Sequence, residues 1–262
     1  MIVNLLQKVI QTRQRNPNET KMGPYLSTPN KEKDSTNGES STVKWGATSM
    51  QGWRKSQEDA HIAHTDLDED MSLFGVFDGH GGKEVSIFVE KFFKDELVKL
   101  DSFKAKDWEK ALKEAFKRMD DMLLTDEGKA ELKKINASCG QQDPFALANR
   151  EDNIANFTGC TATVVLITKT DFYCANAGDS RTILARSGQG NLMKELSFDH
   201  KPDNEDEKKR IMAAGGFVEE NRVNGSLNLS RSMGDFEYKS NASKDYKEQM
   251  VTVDPEVTKT AR

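Results

Sequence analysis

The sequence predicts an α+β fold, a β-sandwich with attached helices, on three observations. Short apolar, strand-like segments come in blocks joined by tight turns. Two amphipathic helices follow one another between those blocks. No regular strand–helix–strand alternation, the pattern that builds a parallel sheet, runs through the chain.

The elements follow in order. Strand-like segments are read at Val43–Ser49, Ala60–His64 and Ser72–Phe77. The period then changes: Val85, Phe88, Val89, Phe92, Phe93, Leu97 and Leu100 recur at three and four, which predicts a helix over Lys83–Leu100. A second helix over Asp107–Leu124 carries the stripe Trp108, Ala111, Leu112, Ala115, Phe116, Met119 and Leu123, with Asp107 as its N-cap. Residues 125–157 are polar and weakly patterned and are read as a long surface insertion. Thr161–Thr168 and Phe172–Ala177 read as strands joined by Lys169-Thr170-Asp171, and Thr182–Ala185 as the next. Asp203–Ala214 is a short helix closed by Gly215-Gly216, and Val251–Val253 is a last strand.

Composition narrows the function classes. A chain of 262 residues, 35% apolar and 31% charged, fits one domain. A net charge of −5 with scattered Lys and Arg argues against nucleic acid as a partner. Cys139, Cys160 and Cys174 form no Cys-x-x-Cys, which fits a reducing compartment and not a disulfide framework or zinc site. No apolar run reaches the length of a membrane span. Residues 1–42 read as a disordered leader, too polar to offset the entropy of ordering. Within it, Met22-Gly23-Pro24-Tyr25-Leu26-Ser27 fits an acylation pattern if translation starts at Met22, and membrane attachment is expected only in that case. Residues 1–18 lack acids, as transit peptides do, but the expected setting is the cytoplasm, or the nucleus, and a monomer.

Three strand ends carry acids. In Val76-Phe77-Asp78-Gly79-His80-Gly81-Gly82 a carboxylate and an imidazole follow an apolar run. Asp78 can bridge two hard cations, and Gly79 lets its own carbonyl face an ion. Asp-Gly is also an ordinary turn dipeptide, and alone the turn reading wins. Arg54-Lys55-Ser56-Gln57-Glu58-Asp59 precedes another strand. It offers carboxylates and a guanidinium that can grip a phosphate, or is simply an exposed charged loop. Asn176-Ala177-Gly178-Asp179-Ser180-Arg181 is the third, metal-binding or a hairpin turn with an Asp-Ser cap. Three such ends favour a hard-metal site, with His80 available as a proton donor.

With these residues the chain resembles the metal-dependent protein phosphatases of type 2C, which remove phosphate from phosphoserine and phosphothreonine. The matching motifs are Gly52-Trp53-Arg54 with Glu58-Asp59-Ala60-His61, Phe77-Asp78-Gly79-His80-Gly81-Gly82, Gly159-Cys160-Thr161-Ala162, Ala175-Asn176-Ala177-Gly178-Asp179-Ser180-Arg181, Asp199-His200-Lys201-Pro202, Arg222-Val223-Asn224-Gly225-Ser226-Leu227 and Ser230-Arg231-Ser232-Met233-Gly234-Asp235. They stand in the family's order between Val43 and Pro255. The resemblance implies two packed antiparallel sheets flanked by helix pairs, in α-β-β-α layers, with metals in a cleft at one end. It implies that Asp78 bridges two Mg2+ or Mn2+ ions, that Glu58 and the Gly79 carbonyl complete one of them, and that Asp179 helps hold a weaker third. Asp59 then holds a metal-bound water, Arg54 binds the substrate phosphate and His80 is the general acid. A water bridging the ions attacks phosphorus in line, and the substrates are phosphorylated proteins. Residues 200–221 form a flap beside the site.

The chain also departs from the family pattern. Family members continue past the segment matching Val251–Val257 to an Asp-Gly and an Asp-Asn pair whose aspartates ligate metal. Neither has a counterpart before Arg262, and Asp254, just before Pro255, matches a different position. The expectation is therefore a partial catalytic domain over 43–262, incomplete at its C-terminal side, with one ion weakly held and feeble turnover. The alternatives are an impaired form that binds phosphoproteins or a partner through Arg54 and the flap, and a fragment without function. Unaltered Arg54, Glu58, Asp78 and His80 favour the phosphatase.

Overall fold

The computed structural model describes residues 2–6, 25–68, 70–139, 153–187 and 192–262. Its strands are β1 (Ile2–Leu6), β2 (Tyr25–Glu39), β3 (Lys44–Arg54), β4 (Ala60–Asp68), β5 (Met71–Phe77), β6 (Gly79–His80), β7 (Gly159–Cys160), β8 (Ala162–Ile167), β9 (Asp171–Ala177), β10 (Arg181–Arg186), β11 (Leu192–Glu195), β12 (Val218–Glu219), β13 (Arg222–Val223), β14 (Met233–Gly234) and β15 (Glu256–Ala261). Its helices are α1 (Glu84–Lys99), α2 (Asp101–Lys104), α3 (Trp108–Leu124), α4 (Asp126–Ser138), α5 (Ile154–Phe157) and α6 (Glu205–Ala213).

The centre is a five-stranded antiparallel sheet in the order β15-β9-β8-β5-β4. Both of its faces are covered, so β5 and β8 are buried along almost their whole length, Ser72 and Thr163 included, instead of alternating. Leu73, Phe77, Val164, Leu166 and Ala175 face α1, α3 and α4, where Val85, Phe88, Phe93, Leu112, Phe116 and Met119 are fully buried. Phe93 joins the layers, 6.0 Å from Phe77 and 5.6 Å from Phe116 between ring centroids. The opposite face presents Phe74, Val165, Ile167, Phe172 and Cys174 to Leu184 and Leu196, with Val43, Trp45 and Ala63 at the margin. There β10 pairs β1 and β11 in a second antiparallel sheet. Helices and antiparallel sheets in separate layers are the α+β arrangement expected. Asp107 caps α3 as its position predicts, accepting from the Lys110 amide at 3.3 Å.

Three expectations need correction. The disordered leader over 1–42 does not hold for residues 2–6 and 25–39, which are strands; Met22 and Gly23, with their acylation pattern, lie outside the described residues. β2 runs antiparallel to β3 with most of its side chains exposed, so the ladder is built by backbone bonds that a polar composition neither requires nor forbids. Within the insertion over 125–157, residues 126–138 are helical. Thr125 caps α4 through its hydroxyl, 3.0 Å from the Gly128 amide, and Leu132 and Ile135 are buried one turn apart. Gly128 lets this helix close on the end of α3, because a Cβ there would meet the Met122 carbonyl at 1.9 Å. Residues 140–152 of that insertion lie outside the described residues. Finally, the last strand is β15 and not Val251–Val253. The latter segment is buried but touches its neighbour through one bridge, Arg231 to Thr252, whereas residues 256–261 pair continuously with β9.

The segment over 200–221, expected as the flap, contains α6 and β12, and its Ile211 packs with Val223 and Val251 in a small separate cluster.

Candidate active site

Pairing of β4 with β5 sets Ala60 opposite Phe77, so the residues just outside the two strands, Asp59 and Asp78, meet at one end of the central sheet. The Glu58 backbone lies directly on Gly79: a Cβ at 79 would stand 2.2 Å from the Glu58 carbonyl oxygen. That carbonyl also accepts from Ser86 Oγ at 2.6 Å, which ties the loop to the first turn of α1. Glu58 accepts from Ser56 Oγ, and Asp59 from Gln57 Nε2 at 2.7 Å. Arg54 is exposed at the end of β3, next to this loop.

The third strand end is fastened to the first by hydroxyl groups. Thr161 accepts the Asp78 amide on its Oγ1 at 3.3 Å and returns its own amide to the Asp78 carbonyl at 2.9 Å. Its Oγ1 lies 2.7 Å from Ser180 Oγ, beside buried Asp179. Asp59, Asp78 and Asp179 thus converge. Removal from water, then the Asp59 and Asp179 charges, push the Asp78 carboxyl up to about 7. Lys201, from the flap, forms an ion pair with Asp179.

His80 stands on β6, and its neighbour is not one of the three acidic ends. Its Nε2 lies 2.7 Å from Asp235 Oδ2. Burial lowers the imidazole pKa, but the Asp235 carboxylate more than offsets this and the net shift is upward. The partner is delivered by a narrow strip, β6-β7-β14, in which Gly79 pairs Cys160, and Gly159 pairs both His80 and Gly234.

The structure therefore brings Glu58, Asp59, Asp78, Gly79 and Asp179 to one end of the sheet, with His80 beside them and Arg54 at the approach. Sequence reasoning missed Asp235, Thr161, Ser180 and Lys201 as parts of this assembly. All four lie in motifs already singled out, but nothing local in Gly234-Asp235 points to His80. The donors suit a hard cation, being oxygens only, and a carboxyl drawn toward neutral pKa by burial and then by like charges is one a cation would relieve. They do not form a closed shell: among the described residues no group of three or more His, Cys, Asp or Glu side chains is arranged around one point as metal ligands.

Known proteins resemble this chain in sequence and in fold. The family model described as protein phosphatase 2C matches residues 43–262. Probable protein phosphatase 2C 3 of Paramecium tetraurelia is 51% identical over 239 residues, which cover 91% of this chain and 74% of that protein. Probable protein phosphatase 2C 21 of Arabidopsis thaliana is 43% identical, covering 90% of this chain and 72% of its own length. Among solved structures, a serine-threonine phosphatase 2C from Toxoplasma gondii superposes with a TM-score of 0.60 at 20% identity, over 91% of this chain and 77% of that one. A second Toxoplasma gondii phosphatase gives a TM-score of 0.60 at 22% identity, over 90% and 74% of the two chains. At these identities the two structures speak to the fold.

Proposed function

Because the chain belongs to the protein phosphatase 2C family, and is thereby a metal-dependent protein serine/threonine phosphatase acting on phosphoproteins, we propose that Glu58, Asp78 and the Gly79 carbonyl are its principal metal ligands. The observation that carries this reading is the meeting of Asp59, Asp78 and Asp179 at one end of the central sheet. Two Mg2+ or Mn2+ ions suit these oxygens, with Asp179 available to a weaker third once Lys201 moves aside. Bound there, such ions lower the pKa of water and offset the charge of the reacting phosphate.

The chain's own groups do the rest. Arg54, exposed at the approach, holds the phosphate through its planar fork of donors. Asp59 accepts hydrogen bonds from water and so orients it. His80 gives its proton to the departing seryl or threonyl oxygen, which would otherwise leave as a strongly basic alkoxide. No nucleophilic side chain is needed, in keeping with Cys160 and Cys174, whose thiols burial pushes up and keeps protonated. Three free cysteines support a reducing, cytoplasmic setting, and a monomer suffices, since one chain supplies every group named.

The test is calorimetric titration of Mn2+ into the chain and into Asp78→Asn, with turnover of a phosphoserine peptide measured alongside. Uptake and turnover should both collapse in the variant. Mn2+ binding left unchanged by Asp78→Asn would overturn the ligand assignment.

A further inference from the structure

The segment Ser230–Asp235 and the pair Gly159-Cys160 have no ligand role in the reading above, yet the fold carries both to His80. Asp235 Oδ2 lies 2.7 Å from His80 Nε2 and also accepts from Ser232 Oγ at 2.5 Å. Asp235 is 3% exposed, so little water competes for that carboxylate. Its backbone is left-handed, with φ 54°, a conformation that non-glycine residues keep only where the surroundings impose it.

Those surroundings are visible. The Asp235 amide donates to the Thr158 carbonyl at 3.2 Å. The preceding amide, of Gly234, donates to Asp120 Oδ1 at 2.9 Å. Lys239 Nζ binds Asp120 Oδ2 at 2.6 Å and the Ser232 carbonyl at 2.8 Å, so a buried ion pair from α3 clamps the turn on both sides of Asp235. Gly159 completes the arrangement. A Cβ at that position would stand 2.3 Å from Asp235 Oδ2 and 2.8 Å from His80 Nε2. The histidine and the aspartate meet in the space that a side chain would fill.

We propose that Asp235 is a positioning residue for His80. By accepting Nε2–H it fixes the plane of the ring and leaves Nδ1 as the nitrogen available to the leaving oxygen. The proton passes from Nδ1 to the seryl or threonyl oxygen as its bond to phosphorus breaks. The electron pair of that bond stays on oxygen, and solvent later reprotonates the ring. Gly159 and the Asp120–Lys239 clamp hold Asp235 for this purpose. The inference rests on His80 being the general acid.

The experiment compares two substrates at saturating Mn2+: a phosphoserine peptide, whose alkoxide needs a proton, and p-nitrophenyl phosphate, whose phenolate does not. Asp235→Asn should lower kcat on the peptide roughly 10- to 100-fold and on the aryl ester less than about threefold. Ser232→Ala, which removes one of the two bonds to Oδ2, should show the same preference at smaller size. His80→Gln combined with Asp235→Asn should be no slower than His80→Gln alone. Equal loss on both substrates, or multiplicative losses in the double variant, would overturn the positioning role. If His80→Gln itself affects both substrates alike, the general-acid reading fails, and the inference with it; a split for His80→Gln but none for Asp235→Asn removes Asp235 alone. Nitrogen-15 spectra of the ring give a readout independent of turnover. An Nε2-bound proton protected from exchange is expected, and lost in Asp235→Asn, whereas free exchange in the unaltered chain would refute the contact.

Discussion

Asp59 and Asp78 stand side by side because Ala60 pairs with Phe77, so in the metal-free protein burial and the neighbouring like charges let the Asp78 carboxyl keep a proton that an isolated carboxylate would release. Removal from water and the neighbouring charges draw the Asp78 pKa from 3.8 to about 7. Between those values the folded chain binds a proton that the unfolded chain does not, so stability falls as pH rises through the window and is level above it. The cost at neutral pH is up to roughly 4 kcal/mol for this interval. Metal-free Asp78→Asn should therefore melt higher than the unaltered chain at pH 7.5 and match it near pH 4. Adding Mn2+ should reverse the order at pH 7.5, because only the carboxylate gains from the cation. Scanning calorimetry with and without chelator checks both statements.

The flap should show the opposite pH dependence. Glu207 on α6 is buried, and burial raises its pKa, but hydrogen bonds from Arg231 and Ser230 and the charge of Arg210 outweigh that and hold it down at about 2. Its contribution is complete above the ordinary value of 4.5 and is lost as pH falls toward 2, an interval of roughly 3 kcal/mol. Glu207→Gln should flatten the acid limb of the stability curve. It should also cost roughly 3–5 kcal/mol at pH 7, because two guanidinium groups stay buried without their carboxylate. Urea melts at pH 7 and pH 3 measure the difference, and cleavage by trypsin within residues 200–221 shows whether the flap opens first.

Gly79 tests how closely the two acidic loops must approach. Since a Cβ would fall 2.2 Å from the Glu58 carbonyl oxygen, a backbone atom with no freedom to rotate away, Gly79→Ala must push the Glu58 loop off the end of β5. The expected result is a Mn2+ affinity at least roughly tenfold weaker, with the helical layer unaffected. Calorimetric titration together with far-UV circular dichroism separates loss of the site from loss of the fold.

What was legible in the sequence follows from range. The stripes of α1 and α3 are written in the side chains themselves, as are the acids that end β5 and β9, because each is a local pattern with one physical cause. β2 is not, since its ladder is made by backbone groups that every residue carries, and polar side chains on an exposed ribbon leave no period. α4 escaped because two buried residues, Leu132 and Ile135, make too short a stripe, and its cap falls where α3 ends. The meeting of His80 with Asp235 and of Asp120 with Lys239 depends on where distant segments cross. Glycines at 159 and 234 record only that something approaches closely there, without saying what.

Lys201 offers the last test, because it already supplies a cation to an acidic end. Its ammonium pairs with Asp179 from the flap side, and both groups are largely withdrawn from solvent, so the contact is stronger than an exposed ion pair. A divalent ion reaching Asp179 must displace that ammonium or share the carboxylate with it. If Asp179 holds the outermost cation as proposed, the lysine would weaken that site while tying the 200–221 segment to the end of β9. Lys201→Ala should strengthen the weakest Mn2+ event in a titration by roughly tenfold and leave the tightest unchanged, since Asp78 and Glu58 are not its partners. Electron paramagnetic resonance of free Mn2+ resolves the two classes without needing turnover. A uniform change in every class would show that Lys201 acts through the general field, and an unchanged weak event would remove Asp179 from the metal-binding groups.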